Sequence, residues 1–114
     1  MIKEINVKIE NVEYIIRHTF ATMKTYEDNT NRHFAEVYTL KISCMLAYIH
    51  AMLQTYNKHY TFTFEQLIEK LQEEHNNDNK IFDNVCYYLD ACINATANDT
   101  KDLPVKKKAV KIKK

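Results

Sequence analysis

Apolar residues in the first quarter of the chain recur at Ile2, Ile5, Ile9, Val12, Ile16, Phe20 and Met23. Steps of three and four place them on one helical face, so the spacing predicts a first helix over this stretch. Ile5, Val7 and Ile9 also alternate as in a strand, but a strand explains three positions where the helix explains seven. A long second helix is expected from about Arg32 to Tyr56. The third starts near Phe64, where Thr63 can cap it and Gln66 can reach back as the capping-box partner. The fourth follows Asp78 and aligns Ile81, Phe82, Val85, Leu89, Cys92 and Ile93.

The second of these helices has two apolar sides. Tyr38, Ile42, Met45, Leu46, Ile49, Met52, Leu53 and Tyr56 form a broad face, and Leu40, Cys44, Ala47 and Ala51 form a separate strip of mostly small residues. Either the helix is central and wrapped by the other three, or the strip packs against a second copy of the chain. Leu40, Cys44, Ala47 and Ala51 are therefore the candidate homodimer surface.

Composition changes the picture at one point. The 114 residues include no Gly and a single Pro. Hairpin-rich sandwiches and barrels lean on Gly where φ is positive, and phosphate loops and dinucleotide fingerprints need it where backbone meets phosphate. The first class is disfavoured and the second is ruled out. Asn is the next residue able to close a helix in the left-handed conformation. Asn29, Asn57, Asn76 or Asn77, and Asn98 fall where the four helices should stop. The expected fold is thus all-α, a small bundle of about four helices with a long central second helix. It occupies residues 1–98, and residues 99–114 are expected to be a disordered lysine-rich tail.

Charge divides the chain the same way. Residues 1–100 carry nine basic and fourteen acidic side chains, and residues 101–114 carry seven lysines against Asp102. The tail lysines Lys106, Lys107, Lys108, Lys111, Lys113 and Lys114 are candidate phosphate contacts. With Leu103-Pro104-Val105 before them they also resemble a nuclear import signal, which matters in a eukaryotic host. No apolar run is long enough to span a membrane, and the opening Met-Ile-Lys-Glu-Ile-Asn carries charge where a signal peptide needs apolar residues. Three cysteines without framework spacing read as thiols of a reducing cytoplasm.

Candidate chemistry is sparse. His33 and Glu36 stand in the reverse order of a ferritin-like pair, Cys86 and Cys92 lack zinc spacing, and Cys44 and His50 face different ways on one helix. No metal, no cofactor and no catalytic activity are expected. Eight tyrosines and five phenylalanines are many for this length, and several crowd the connection after the second helix. Aromatics with polar tips suit protein interfaces. Tyr56, His59 and Tyr60, with the acidic Glu69 and Glu73 that follow, are the candidate partner surface.

The function expected from this reading is a small non-catalytic protein-binding module. A Gly-free chain rich in Asn, Lys, Ile and Tyr fits a virus-, phage- or plasmid-encoded protein that inhibits or redirects a host machine. The alternative is a nucleic-acid accessory protein that works through the lysine tail.

Overall fold

A computed structural model describes residues 3–101. The chain opens with a β-hairpin, strands β1 (Glu4–Ile9) and β2 (Val12–Arg17), followed by helix α1 (Phe20–Thr30) and a 3-10 helix (Phe34–Thr39). Helices α2 (Ile42–Tyr56), α3 (Phe64–Asn76) and α4 (Ile81–Lys101) complete it. The fold is mixed α/β, which corrects the all-α expectation.

The hairpin replaces the expected first helix for a definite reason. Ile5 to Ile9 and Val12 to Ile16 are steps of four, and an even step keeps one face of a strand as well as one face of a helix. Val7 and Tyr14 discriminate between the two, because both are buried beside Ile9 and Ile16 on the same side. β-branched residues dominate both strands, which favours the pleated form. The strands pair antiparallel, from Glu4 opposite Arg17 to Ile9 opposite Val12.

The turn needs positive φ at both central residues, and Glu10 (54°) and Asn11 (66°) supply it. Asn tolerates that region; Glu does so at a cost of about 1 kcal/mol. Long-range contacts offset the cost. The Glu10 N–H donates to Glu74 Oε2 at 3.0 Å, and Lys70 Nζ donates to Glu10 Oε2 at 2.7 Å. Absence of Gly therefore did not exclude a hairpin, because α3 holds this one from outside.

The expected second helix is also divided. A 3-10 helix repeats every three residues, which puts Phe34 and Val37 on one buried face. Leu40 then turns left-handed (φ 59°) and breaks the axis before α2 begins at Ile42. α2 remains the central helix, packed against α1, β2, α3, α4 and the 3-10 helix.

Helix ends follow the sequence in part. Thr63 and Gln66 form the capping box at the start of α3, with the Gln66 N–H donating to Thr63 Oγ1 at 3.1 Å. α1 ends on Asn31, left-handed at φ 57°, and not on Asn29. After α3 the left-handed residue is Asp78, next to Asn77. Asn57 does end α2, but with extended backbone and through its side chain. Asn98 lies inside α4, which continues to Lys101. Residues 102–114, with most of the expected tail, fall outside the described residues.

Candidate functional site

Burial sorts the candidates chosen from sequence. Cys44 and Ala51 are 2% and 0% exposed within the single chain, Ala47 is half-buried, and Leu40 is open. The strip is therefore not a continuous surface: α2 presents two of its four residues to its own core. The aromatic connection turns inward too. Tyr60 is buried, with its hydroxyl 2.7 Å from His50 Nδ1. The Tyr56 hydroxyl meets Thr19 Oγ1 at 2.7 Å, and the Arg17 guanidinium lies 4.9 Å over its ring. His59 is exposed but stacks on Tyr14 at 4.7 Å and donates from Nε2 to the Glu13 carbonyl at 2.9 Å. Glu69 and Glu73 stand open on α3. Lys106, Lys107, Lys108, Lys111, Lys113 and Lys114 lie outside the described residues.

A buried polar network escaped the sequence reading. Tyr48, at the centre of α2, lies 2.7 Å from both His18 Nδ1 and Thr22 Oγ1. Thr22 Oγ1 donates to the Thr19 carbonyl at 2.8 Å, so it must accept from Tyr48. Tyr48 has one proton and must in turn accept from His18, which fixes the proton on Nδ1. The Tyr88 hydroxyl adds a second tie, accepting from the His18 N–H at 3.1 Å and donating to the Lys3 carbonyl at 2.8 Å. Burial lowers the His18 pKa, pushes Tyr88 up to about 12 and raises Tyr48 further. All three groups stay neutral, and the network fastens the hairpin to α1, α2 and α4. His18 and Tyr48 are thirty positions apart, so no spacing rule could have paired them.

The residues weighed for metal or thiol chemistry are likewise tied into the structure or held unreactive. His33 Nδ1 accepts from the Ala35 N–H at 3.1 Å, and Glu36 pairs with Arg32 at 2.9 Å. Burial pushes the Cys86 and Cys92 thiols up, away from the reactive thiolate. Among the described residues no three His, Cys, Asp or Glu side chains are placed to hold a metal ion. No helix among them is long and apolar enough to cross a membrane.

What the surface does offer is an apolar groove of about 300 Å³ between α2, α3 and α4. Ile42, Leu46, Ile68, Leu71 and Phe82 line it, with Gln72, His75 and Asp83 at its margin. Ile42 is 65% exposed and Ile68 37%, so two large aliphatic side chains share one open patch. At about 100° per residue, Glu65 and Glu69 stand next to Ile68 on the solvent side of α3. From residue 65 to 93 seven carboxylates face only Lys70 and Lys80. Both lysines are engaged, Lys70 with Glu10 and Glu73, Lys80 with Asp78. The groove is therefore apolar at its floor and negative at its rim.

No protein-family model matches this chain, and neither a curated protein nor a solved structure does.

Proposed function

We propose that this chain is a non-catalytic protein-binding module that takes a basic, apolar-bearing segment of another protein in the groove between α2, α3 and α4. The carrying observation is the pair Ile42 and Ile68, left open to solvent beside Glu65 and Glu69, which form no ion pair among the described residues. Apolar burial supplies affinity for such a segment, and the acidic rim selects for Lys and Arg on it. This moves the partner surface from the aromatic connection to the opposite side of α3 and keeps the acidic half of the sequence expectation. A virus, phage or plasmid protein that blocks a basic surface of a host machine would use such a face. The second reading, nucleic-acid binding through the tail, rests on the lysine run at Lys106–Lys108, Lys111, Lys113 and Lys114.

The test compares the full chain with its I42E/I68E variant as bait in native-host extract, with and without nuclease. Both substitutions sit on exposed positions, so the fold should lose no more than about 1 kcal/mol. The expected result is a protein retained by the parent, resistant to nuclease, and bound at least about tenfold more weakly by the variant. Retention that nuclease abolishes would transfer the function to the tail and nucleic acid. Equal retention by parent and variant would overturn the groove.

A further inference from the structure

Apart from that groove, the outer edge of β1 is open. In a hairpin with a two-residue turn, Ile9 and Val12 exchange hydrogen bonds, and the pattern alternates from there. The backbone N–H and C=O of Glu4, Asn6 and Lys8 therefore point away from β2. Asn79 Nδ2 donates to the Lys8 carbonyl at 3.0 Å. Among the described residues nothing meets the outward groups of Glu4 or Asn6. Beside this edge lies an apolar groove of about 460 Å³, lined by Ile5, Asn6, Asn84, Tyr87, Tyr88 and Ala91. Tyr87 is 73% exposed there.

We propose that the β1 edge pairs with the β1 edge of a second copy, antiparallel about a two-fold axis at Asn6, to form a continuous four-stranded sheet. The register follows from charge. With the axis at Asn6, Asn6 faces the partner's Asn6, and Glu4 faces the partner's Lys8 twice over. An axis at Glu4 would set two carboxylates against each other, and an axis at Lys8 two ammonium groups. Directly opposed like charges destabilise a sheet and opposed unlike charges support it; axes at Ile5 or Val7 set Glu4 or Lys8 against Asn6 and gain no such pair, so the axis at Asn6 is the one register that brings unlike charges together. It is also the register in which the free Asn6 N–H and C=O satisfy each other across the axis. On the inner face the partner's Ile5 comes opposite Val7, over the groove that Tyr87 flanks. Such a contact is isologous and closes on itself, so it stops at two copies. It uses a different surface from the α2 strip and from the α2–α3–α4 groove.

Another occupant of the edge would be the chain's own Val110-Lys111-Ile112, which repeats the Val7-Lys8-Ile9 of β1. The test separates the two. Sedimentation of the full chain over a concentration series should give twice the 13.6 kDa chain mass at the upper end. K8E opposes two pairs of carboxylates and should weaken association about tenfold, and E4K should do likewise. Mixing K8E with E4K restores unlike charge at both pairs of the mixed dimer, with each hairpin the same as in the single variants, and association in the mixture should return to within about twofold of the parent. N6P removes an outward N–H and no bond within the hairpin, and should leave a folded monomer. Three outcomes would overturn the proposal: a parent that stays monomeric to millimolar concentration, dimers indifferent to K8E and N6P, or no rescue when K8E and E4K are mixed. A monomer whose Asn6 amide is protected from exchange until residues 102–114 are removed would overturn it in favour of the chain's own segment.

Discussion

The two edges of the hairpin carry the same kind of outward backbone groups, and the chain treats them differently. Along β2 the connection after α2 acts as a third strand made of side chains. Asn57 Oδ1 accepts the Ile15 N–H at 2.7 Å and its Nδ2 donates to the Ile15 carbonyl at 2.9 Å, the two bonds a neighbouring strand would make. His59 closes the Glu13 carbonyl next to it. Along β1 a single amide, Asn79, closes Lys8, and Glu4 and Asn6 are left open. An unprotected edge invites pairing with another chain, and proteins usually blunt it with charge, bulges or cover. Here one edge is covered from within, while the other carries Glu4 and Lys8 on either side of Asn6, charges that restrict which strand can join.

The strongest way to break this comparison is Asn57→Ala. Asn57 is buried, and its Nδ2 also serves the Leu53 carbonyl at 3.0 Å. Removing the amide strands the Ile15 N–H and carbonyl together with the end of α2. Each buried unsatisfied group costs about 1–3 kcal/mol, so urea unfolding should show a loss on the order of 3 kcal/mol. Exchange of the Ile15 amide should accelerate at the same time. An unchanged midpoint would show that water substitutes for Asn57 and that the β2 edge is no better closed than β1.

The network behind β2 provides a second, smaller handle. Burial lowers the pKa of both His18 and His50, the latter against an opposing pull from Glu65. In the unfolded chain both titrate near the ordinary value, so as pH falls through about 6.5 the unfolded state takes up protons first. Stability should therefore be full above that pH and decline below it, until the lowered folded values are passed. Thermal melts between neutral pH and the carboxylate range should show the decline. His18→Gln should flatten part of it, and an identical slope in that variant would remove His18 as a contributor.

Legibility in the sequence followed the range of the interactions. The α3 capping box lies within four residues, and the sequence names both of its partners, Thr63 and Gln66. Periodicity gives Met45, Ile49, Met52 and Leu53 of the buried face of α2 and the start of α4, but it also places the exposed Ile42 on that face and leaves Cys44, Tyr48 and Ala51 off it. The hairpin was misread because steps of four suit both periods, and because the turn's positive φ at Glu10 is supported by Glu74 and Lys70, some sixty residues away. The break at Leu40 has no local signal, since leucine is a good helix former. Asn57 was assigned the right place for the wrong reason: a side chain bridging α2 to β2 does the work expected of a left-handed backbone. In the candidate surface the carboxylates of α3 were visible as a charge run. The inward turn of Tyr56 and Tyr60 depended on Thr19, Arg17 and His50, which only the fold brings near.

The finest test of the two edges is Asn79→Ala. Its amide is bonded to the Lys8 carbonyl and to Glu74 Oε1 at 2.7 Å, close to the surface where water can replace it. The stability loss should be about 1 kcal/mol, well short of that for Asn57. Unlike K8E, E4K and N6P, it should not weaken association. Asn79 occupies the Lys8 carbonyl that the partner's Glu4 N–H would use, so removing it frees one more acceptor on each side of the two-fold axis. Sedimentation should then show dimerisation unchanged or severalfold tighter in a slightly less stable protein. Weaker association, with the fold intact by circular dichroism, would mean that Asn79 belongs to the joining surface and is not a plug at its end.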